Sequence, residues 1–440
     1  MRFDIDRNSL NDLEIFNTQY NSKCIFDFLN NTQTDGGKKL LLEIMTSPSC
    51  DTALLNQRTS IIAALSKMEF PFDIKKGEAD DIEHYFIIGR NILHTNPVDS
   101  LKDYGNYKLR GTKEYYFIVA GLKALIKLLK LFERIISRLE DFSLPESFKE
   151  HLADVKRLLN HQLIRKAFAA KKLNPFLVSR LDQFSRKTHK QQLRSFLDFI
   201  YQIDVYHSVA LLLTKNRWSL PEYSTESHSG LVINDLFHPL IPQAVPNSTA
   251  LDENTTVIFL TGPNMAGKSS FLKAVGISIY LSHLGFPVPA SKMKTQIFDG
   301  LITTINLPDN INEGLSHYYN EIKRLKSIVN LLSENKSLFL IFDEMFKGTN
   351  LKDALEASKI VISSFSAIKN SKFLVSSHFV ELFDDLKVNK TLRFFSFGSS
   401  DENPGNYNYK LREGLNGERM GLHILRNEGI IAALQKLGEG

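Results

Sequence analysis

One run of eight residues, 262–269, constrains the fold of this 440-residue chain more than any other feature. It reads GPNMAGKS and fits the phosphate-binding pattern GxxxxGK followed by Ser or Thr. The pattern needs its glycines because backbone N–H groups must approach phosphate oxygens closely, and the helix that follows favours an anion at its N-terminus. An apolar run, 257–260, precedes the loop, and a helical pattern, 270–283, follows it. This order predicts an α/β layer that binds nucleotide phosphates.

The side chains of this loop predict which groups would contact a nucleotide. The Lys268 ammonium would reach the β- and γ-phosphates, and the Ser269 hydroxyl would ligate Mg²⁺. A glycine-rich turn without a ligand is the alternative, and the strand and helix that flank the loop argue against it. The candidate nucleotide-binding residues are the loop and the residue after it, namely Gly262, Pro263, Asn264, Met265, Ala266, Gly267, Lys268, Ser269 and Ser270.

Two further apolar runs end in side chains that suit phosphate chemistry. Residues 338–342 lead into Asp343 and Glu344, so a strand would deliver Asp343 to the Mg²⁺ shell and Glu344 to an attacking water. Residues 373–375 lead into two serines and His378, which would contact the γ-phosphate from a strand end. Each feature alone also occurs as an acidic turn or an ordinary surface or core histidine. Together with the loop they predict Glu344 and His378 as a catalytic pair.

The two halves of the chain differ in the spacing of their apolar residues. The first half has helical spacing in five stretches, 38–47, 54–68, 121–139, 154–169 and 191–213. The second half alternates short apolar runs with helical patterns, and a polar, turn-rich segment after Trp218 separates the two. The sequence therefore predicts a helical domain, 1–217, and an α/β domain with a mainly parallel sheet, 218–440.

The composition is ordinary for a globular protein, with 43% hydrophobic and 23% charged residues. Cys24 and Cys50 are the only cysteines, so a disulfide-built scaffold is excluded and a reducing compartment is favoured. The most apolar long stretch, 115–132, contains three lysines that a membrane-spanning helix would have to bury. The first ten residues carry no apolar segment of the kind a secretory signal needs. We expect a cytoplasmic protein that does not span a membrane.

A strongly basic segment lies in the first half. Residues 151–200 contain eleven lysines and arginines but three aspartates, whereas the whole chain has a net charge of +5. Such a segment suits phosphate contacts that are sequence-independent and salt-dependent. A solvated helix face is the equally weighted alternative. The candidate nucleic-acid contacts are Lys171, Lys172, Arg186 and Lys187.

Four runs in the second half resemble the ATPase domain of the MutS mismatch-repair family, which belongs to the wider ABC class of ATPases. They are TGPNMAGKSS, GLSHYYNE, FDEMFKGTN and SSHFVEL. Phe237-His238-Pro239 is similar to the element that begins this domain, and Val245 lies where the family has its adenine-contacting loop. In the first half, Leu13-Glu14-Ile15 and the run that starts at Leu29 resemble the family's core domain. The resemblance covers both ends of the chain, with a weaker middle.

The resemblance implies an α-helical core or lever domain followed by an α/β P-loop ATPase domain of the ABC type, with ATP and Mg²⁺ as ligands. It assigns Mg²⁺ to Ser269 and Asp343, as the chemistry of the motifs does. It also implies a homodimer with two composite sites, in which Ser316 acts in trans on the γ-phosphate bound by the partner. Thr349 and Asp353 would lie in the loop that crosses the dimer interface.

The sequence also departs from the family pattern. It begins directly in core-like sequence, without a Phe-x-Glu element that could wedge into a mismatch, and its helical region is shorter than a lever region with a full DNA clamp. Ala266 replaces the usual second glycine of the loop, and Phe346-Lys347 replaces a Gly-Arg pair. Nothing after His378 resembles an appended nuclease domain. These departures leave the ATPase pattern intact and remove the family's known route to mismatch recognition.

The resemblance and the basic segment together lead to one expected function and two alternatives. We expect an ATP-hydrolysing dimer that acts as a nucleotide-switched clamp on double-stranded or branched DNA in repair or recombination. An ATP-switched clamp on RNA or ribosomes would need the same basic segment. An ATP-driven switch between protein partners would not need nucleic acid at all.

Overall fold

A computed structural model of the protein describes residues 3–16, 23–68, 77–87, 92–110, 113–215, 217–224, 229–305, 317–399 and 407–415. The chain folds into two compact units. One consists of Met1–Phe28, Ser47–Asn56 and Lys215–Gly440, and we call it the nucleotide unit because it contains the loop predicted to bind nucleotide phosphates. The other, the helical unit, consists of Leu29–Thr46 and Gln57–Thr214. The chain therefore passes between the units several times instead of once.

The helices, in chain order, are α1 Arg7–Asp12, α2 Ile25–Leu29, α3 Asp35–Met45, α4 Thr52–Ser66, α5 Glu78–Ile87, α6 Pro97–Arg110, α7 Lys113–Leu139, α8 Glu146–Leu159, α9 Gln162–Ala169, α10 Pro175–Gln183, α11 Lys190–Ala210, α12 Lys268–Ser282, α13 His317–Ser333, α14 Leu351–Ser366 and α15 Leu382–Leu386. A π-helical turn, Phe184–Thr188, joins α10 to α11. The strands are β1 Asp4–Ile5, β2 Pro221–Tyr223, β3 Leu231–Leu236, β4 Asn247–Leu251, β5 Val257–Thr261, β6 Lys292–Thr295, β7 Gly300–Thr304, β8 Leu338–Asp343, β9 Lys372–Ser376, β10 Leu392–Ser399 and β11 Tyr407–Glu413.

The helices of the helical unit confirm those predicted for the first half of the sequence, with one correction. The stretch 154–169 is two helices, because α8 ends at Leu159 and the ring of His161 caps α9 by accepting a hydrogen bond from the Leu163 N–H. A polar residue with an acceptor next to the first turn is a usual start signal for a new helix. The apolar spacing continued across this break, so spacing alone did not reveal it.

A buried carboxylate holds the start of α3 inside the helical unit. Asp204 of α11 accepts hydrogen bonds from the Thr34 hydroxyl at 2.6 Å and the Gln33 N–H at 2.9 Å. Gly37 permits this approach, since a Cβ there would lie 2.4 Å from Asp204 Oδ2. Burial raises the pKa of Asp204, although the bonds from Thr34 and Gln33 oppose that shift. The α3–α11 packing therefore depends on a polar contact as well as on apolar burial.

The nucleotide unit contains a seven-stranded mixed sheet in the order β1-β7-β8-β9-β5-β10-β11. Only the β10–β11 pair is antiparallel among the described pairs of this sheet. Every residue of β5 and β9 is buried, which is what a sheet covered by helices on both faces requires. A second, four-stranded sheet has the order β2-β6-β3-β4. The α/β prediction for the second half is thus confirmed, and the predicted strands 257–260, 338–342 and 373–376 correspond to β5, β8 and β9.

The first residues of the chain complete the nucleotide unit. The two-residue strand β1 forms one edge of the large sheet and pairs with β7 in parallel. At the carboxyl end of β7, the Thr303 hydroxyl donates to Asp12 at 2.6 Å and the Ile305 N–H donates to it at 2.9 Å. Leu13 packs against Gly276 of α12, where a Cβ would lie 2.6 Å from Leu13 Cδ2. The structural division therefore differs from a single boundary at 217/218, because β1 is too short to leave an apolar pattern in the sequence.

Within the described residues, no helix combines the length and the apolar character that crossing a membrane requires.

Candidate functional site

Three neighbouring strands bring the predicted motifs to one edge of the large sheet. β5, β9 and β8 are adjacent and parallel, so their carboxyl ends lie at the same edge. Ser376 at the end of β9 is in register with Leu260 of β5 and with Asp343 of β8. The loop predicted to bind phosphate, the carboxylate pair and His378 therefore lie side by side although long stretches of chain separate them.

The loop after β5 has the backbone that its glycines predict. Gly262 has φ +140° and Gly267 has φ +104°, and Met265 also adopts a left-handed conformation. A Cβ at Gly262 would lie 2.6 Å from the carbonyl oxygen of Phe397, so this position requires glycine for its conformation and for the close approach of β10. Ala266, which replaces a family glycine, is buried and does not adopt a positive φ. The replacement therefore costs the loop no backbone strain.

Lys268 places its ammonium group at the centre of the loop. Its Nζ donates to the carbonyl oxygens of Gly262 at 2.8 Å and Pro263 at 3.2 Å, and it lies 3.8 Å from Glu344 Oε1. Burial lowers the pKa of Lys268, although Glu344 and Asp343 oppose this shift. A phosphate that binds in this loop would meet a cation whose present partners are two neutral carbonyls and a carboxylate.

Ser269 and Asp343 form the pair that the motifs predict for Mg²⁺. The Ser269 hydroxyl donates to Asp343 Oδ2 at 2.5 Å, and the Ser376 hydroxyl donates to Asp343 Oδ1. Two hydroxyls thus fix the orientation of one carboxylate at the edge of the sheet. A hydroxyl and a carboxylate are hard oxygen ligands, and together with phosphate oxygens and water they fit the coordination of Mg²⁺.

Glu344 is surrounded by cationic side chains. Its Oε1 contacts His378 Nε2, and its Oε2 lies 3.0 Å from Lys347 Nζ. Burial favours a higher pKa for Glu344, but the bonds to His378 and Lys347 outweigh it and lower the pKa to about 2. Glu344 has φ +60°, a conformation that a non-glycine residue adopts at a cost, and its N–H donates to the Ser376 carbonyl at 3.1 Å. The structure therefore brings together the two residues that the sequence predicts as catalytic.

A cavity of about 560 Å³ adjoins the loop and provides room for a base and sugar. Val245 lines it, as the resemblance implies, and so does His238, whose pKa burial lowers to about 4. Phe397 and Tyr409 also line it, and the sequence reading missed both. Their strands carry no motif, and the contact follows from pairing: Asn247 of β4 donates to the Tyr409 carbonyl at 3.0 Å. Other lining residues are Leu236, Phe237, Ile241, Gln243, Asn264, Met265, Ser270 and Phe271.

Of the three residues predicted to lie at the partner interface, the structure describes Thr349 and Asp353. Ser316, predicted to act in trans, lies outside the described residues. Asp353 is exposed in the first turn of α14, and its N–H bonds to Asn350, the N-cap residue, at 3.0 Å. Thr349 is half-buried just before that cap. An acidic residue in a first turn also favours the helix itself, so the position of Asp353 has a local explanation.

The four predicted nucleic-acid contacts divide into two groups. Lys171, Lys172 and Lys187 are exposed on the helical unit. Arg186 is buried, and its Nε and Nη2 atoms each donate a hydrogen bond of 2.6 Å to the Asp182 carboxylate. Asp182 also accepts from the Tyr85 hydroxyl at 2.8 Å. Arg186 is therefore a structural residue and not a surface contact, a correction that its four-residue spacing from Asp182 could have suggested.

Comparison with known proteins assigns both units to one family. The model "MutS domain III" matches residues 8–210, and the model "MutS domain V" matches residues 258–435. The DNA mismatch repair protein MutS of Aquifex pyrophilus is 29% identical over 238 residues, which are 52% of this chain and 27% of that protein. The corresponding protein of Petrotoga mobilis is 26% identical over 327 residues, 70% of this chain and 38% of that protein.

A third relative, the DNA mismatch repair protein MutS of Pelotomaculum thermopropionicum, is 33% identical over 211 residues, 46% of this chain and 24% of that protein. The matched part of the chain thus spans well under half the length of these curated relatives. The two domain models nevertheless cover most of the chain between them. This chain therefore belongs to the MutS family.

Proposed function

We propose that the nucleotide unit binds ATP with Mg²⁺ and hydrolyses it. The observation that carries the proposal is the convergence of Lys268, the Ser269–Asp343 pair, Glu344 and His378 at the carboxyl edge of β5, β8 and β9. This arrangement supplies a cation for the phosphates, oxygen ligands for the metal ion and a carboxylate next to the expected position of the γ-phosphate. Family membership supports the same activity.

In the proposed reaction each of these side chains has a role in binding the phosphates or in activating the water. Lys268 exchanges its carbonyl partners for the β- and γ-phosphates. Ser269 and Asp343 would hold Mg²⁺, which would neutralise charge on those phosphates. Glu344 orients a water whose oxygen bonds to the γ-phosphorus as the bond to the bridging oxygen breaks, which yields ADP and inorganic phosphate. His378 contacts the γ-phosphate, and the water's proton leaves toward Glu344 and solvent.

The proposed assembly is a homodimer in which Ser316 of one protomer completes the site of the other. Family resemblance is the main support for this part. Exposed apolar side chains near the site give a second reason, since Met265 of the loop is 81% exposed and Leu351 at the start of α14 is 66% exposed. Side chains of this size favour burial against a partner surface.

We further propose that the dimer is a nucleotide-switched clamp that associates with DNA in repair or recombination. The helical unit supports it with seven basic side chains of residues 151–200 that are at least partly exposed and form no ion pair within the described residues. They are Lys166, Lys171, Lys172, Arg180, Lys187, Lys190 and Arg194. Unpaired cations on one unit suit phosphate contacts that do not depend on base sequence. The related MutS proteins are named for DNA mismatch repair, which favours DNA over RNA as the target.

The ATPase proposal is tested by steady-state hydrolysis and by binding of a fluorescent ATP analogue. Lys268→Ala is expected to abolish both, because the loop loses its phosphate cation. Lys369→Ala, at an exposed lysine before β9 without an ion pair among the described side chains, is the matched control and is expected to retain both. Normal turnover by Lys268→Ala would remove the phosphate-binding assignment.

A further inference from the structure

The Glu344 carboxylate has a separate cationic partner for each oxygen. Oε1 contacts His378 and lies 3.8 Å from Lys268, and Oε2 lies 3.0 Å from Lys347. Lys268 and His378 belong to the elements that face the phosphates. Lys347 instead belongs to the same loop as Glu344, three residues further on, and its side chain is 54% exposed. The two oxygens are therefore held from two different sides.

The loop that carries Lys347 packs closely against the start of α13. Phe346 is buried and has φ +64°, so a bulky residue occupies a left-handed conformation next to Lys347. The Phe346 ring packs on the Tyr318 ring at 6.2 Å between centroids. Gly348 lies so close to α13 that a Cβ there would be 2.6 Å from the Tyr318 nitrogen. Lys347 therefore lies between the buried Phe346 and the closely packed Gly348. From this position its side chain contacts Glu344.

We propose that Lys347 is a positioning residue, which anchors Glu344 through Oε2 and leaves Oε1 directed toward the phosphates and the attacking water. This inference rests on the proposed ATPase function. When ATP binds, Lys268 and His378 each gain a phosphate oxygen as partner, so Oε1 loses cationic contacts. Lys347 has no phosphate partner in the proposed reaction and keeps its contact with Oε2. The Glu344 carboxylate then keeps its orientation while Oε1 becomes free to bind the attacking water.

The geometry defines the step that Lys347 affects. The water oxygen forms a bond to the γ-phosphorus, the bond from that phosphorus to the bridging oxygen breaks, and the negative charge passes to ADP. Glu344 Oε1 orients the water and accepts its hydrogen bond. Lys347 does not line the cavity beside the loop, whereas Glu344 and Lys268 do, so its removal should slow the chemical step and leave ATP affinity unchanged.

The test compares kcat and KM for Lys347→Ala, Lys347→Arg and the control Lys369→Ala. Lys347→Ala is expected to lower kcat about tenfold with KM unchanged, Lys347→Arg to restore most of the loss, and the control to match the parent protein. A kcat for Lys347→Ala that equals or exceeds that of the parent protein would overturn the proposal, and so would an equal loss in the arginine variant. Since Lys347 is largely exposed, thermal unfolding of the variants should match the parent protein.

A double-mutant comparison separates positioning from a merely structural role. In the Glu344→Gln background, Lys347→Ala is expected to cause no further loss, because the group it orients is already absent. An additional loss of the same size in that background would mean that Lys347 acts independently of Glu344. The parent protein and Glu344→Gln also test the ATPase proposal itself: if both hydrolyse ATP equally or neither binds it, that proposal fails before Lys347 is considered.

Discussion

Ser269 and Asp343 are 74 residues apart in the chain, yet the Ser269 hydroxyl donates to Asp343 Oδ2 at 2.5 Å. The contact exists because β5 and β8 are separated in the sheet by β9 alone, whose terminal Ser376 donates to the other oxygen of Asp343. The two motifs that the sequence predicts separately are thus brought into direct contact, as a shared Mg²⁺ site would require. The parallel order of strands is what turns local patterns into a site.

Gly262 should be the least replaceable residue of the loop. Gly262→Ala is expected to reduce stability by about 1–3 kcal/mol and to prevent nucleotide binding, since the methyl would meet the Phe397 carbonyl at 2.6 Å in a conformation with φ +140°. Gly414→Ala is the matched control, because Gly414 has φ +96° and nothing lies within 4 Å of an added Cβ. Urea unfolding measures the stability of both variants. Equal losses of stability would show that the close approach of β10 to Gly262 is unimportant.

Arg186 and Lys187 are neighbours with opposite expected effects. Arg186→Ala should destabilise the helical unit by about 3–5 kcal/mol, because it leaves the buried Asp182 carboxylate without its cation. Lys187→Ala should leave stability unchanged and should lower the slope of log affinity against log salt for duplex DNA by about one. Thermal unfolding and salt-dependent DNA binding measure the two variants side by side. A salt slope unchanged by Lys187→Ala would exclude this lysine from the contact surface.

The stability of the nucleotide unit should fall in acid through His283. This histidine is fully buried between the Ile279 and Phe298 carbonyls, and burial lowers its pKa to about 4, compared with about 6.5 in an unfolded chain. Between these values the unfolded state binds a proton that the folded state does not, so the free energy of unfolding rises with pH. The stabilisation is fully present above pH 6.5 and is lost as the pH falls toward 4, by on the order of 3 kcal/mol.

Urea unfolding between pH 4 and 7 measures this dependence. His283→Gln is expected to be less stable at pH 7 and to show a shallower pH dependence than the parent protein. His151→Gln, at an exposed position of α8, is the control and should retain the parent slope. If His283→Gln shows the same pH dependence as the parent protein, a group other than His283 causes the loss of stability in acid.

The parts of the site that were predictable are those in which the chemistry requires particular residues. Lys268, Ser269, Asp343 and Glu344 stand at fixed places relative to strand ends, so their patterns are local. Tyr409 reaches the cavity through the pairing of β11 with β10 and through its contact with Asn247, and such long-range pairing leaves no local pattern.

The fold shows the same division between local and long-range features. Long amphipathic helices such as α7 follow from apolar spacing alone. The pairing of the two-residue strand β1 and the docking of Asp12 on β7 depend on a few hydrogen bonds between distant segments. Arg186 was assigned to the surface because a charge count ignores pairing, and the π-helical turn that buries it has no sequence rule of its own.

The most direct test of the ATP-switched clamp is DNA binding by the Glu344→Gln protein with Mg-ATP, which should bind ATP and hydrolyse it about 10²- to 10⁴-fold more slowly. Matched, mismatched and branched duplexes would be titrated at two salt concentrations, with ADP as the comparison nucleotide. The account predicts tight, salt-dependent binding with ATP and weaker binding with ADP. DNA affinity that is absent at low salt, or that is the same with both nucleotides, would contradict it.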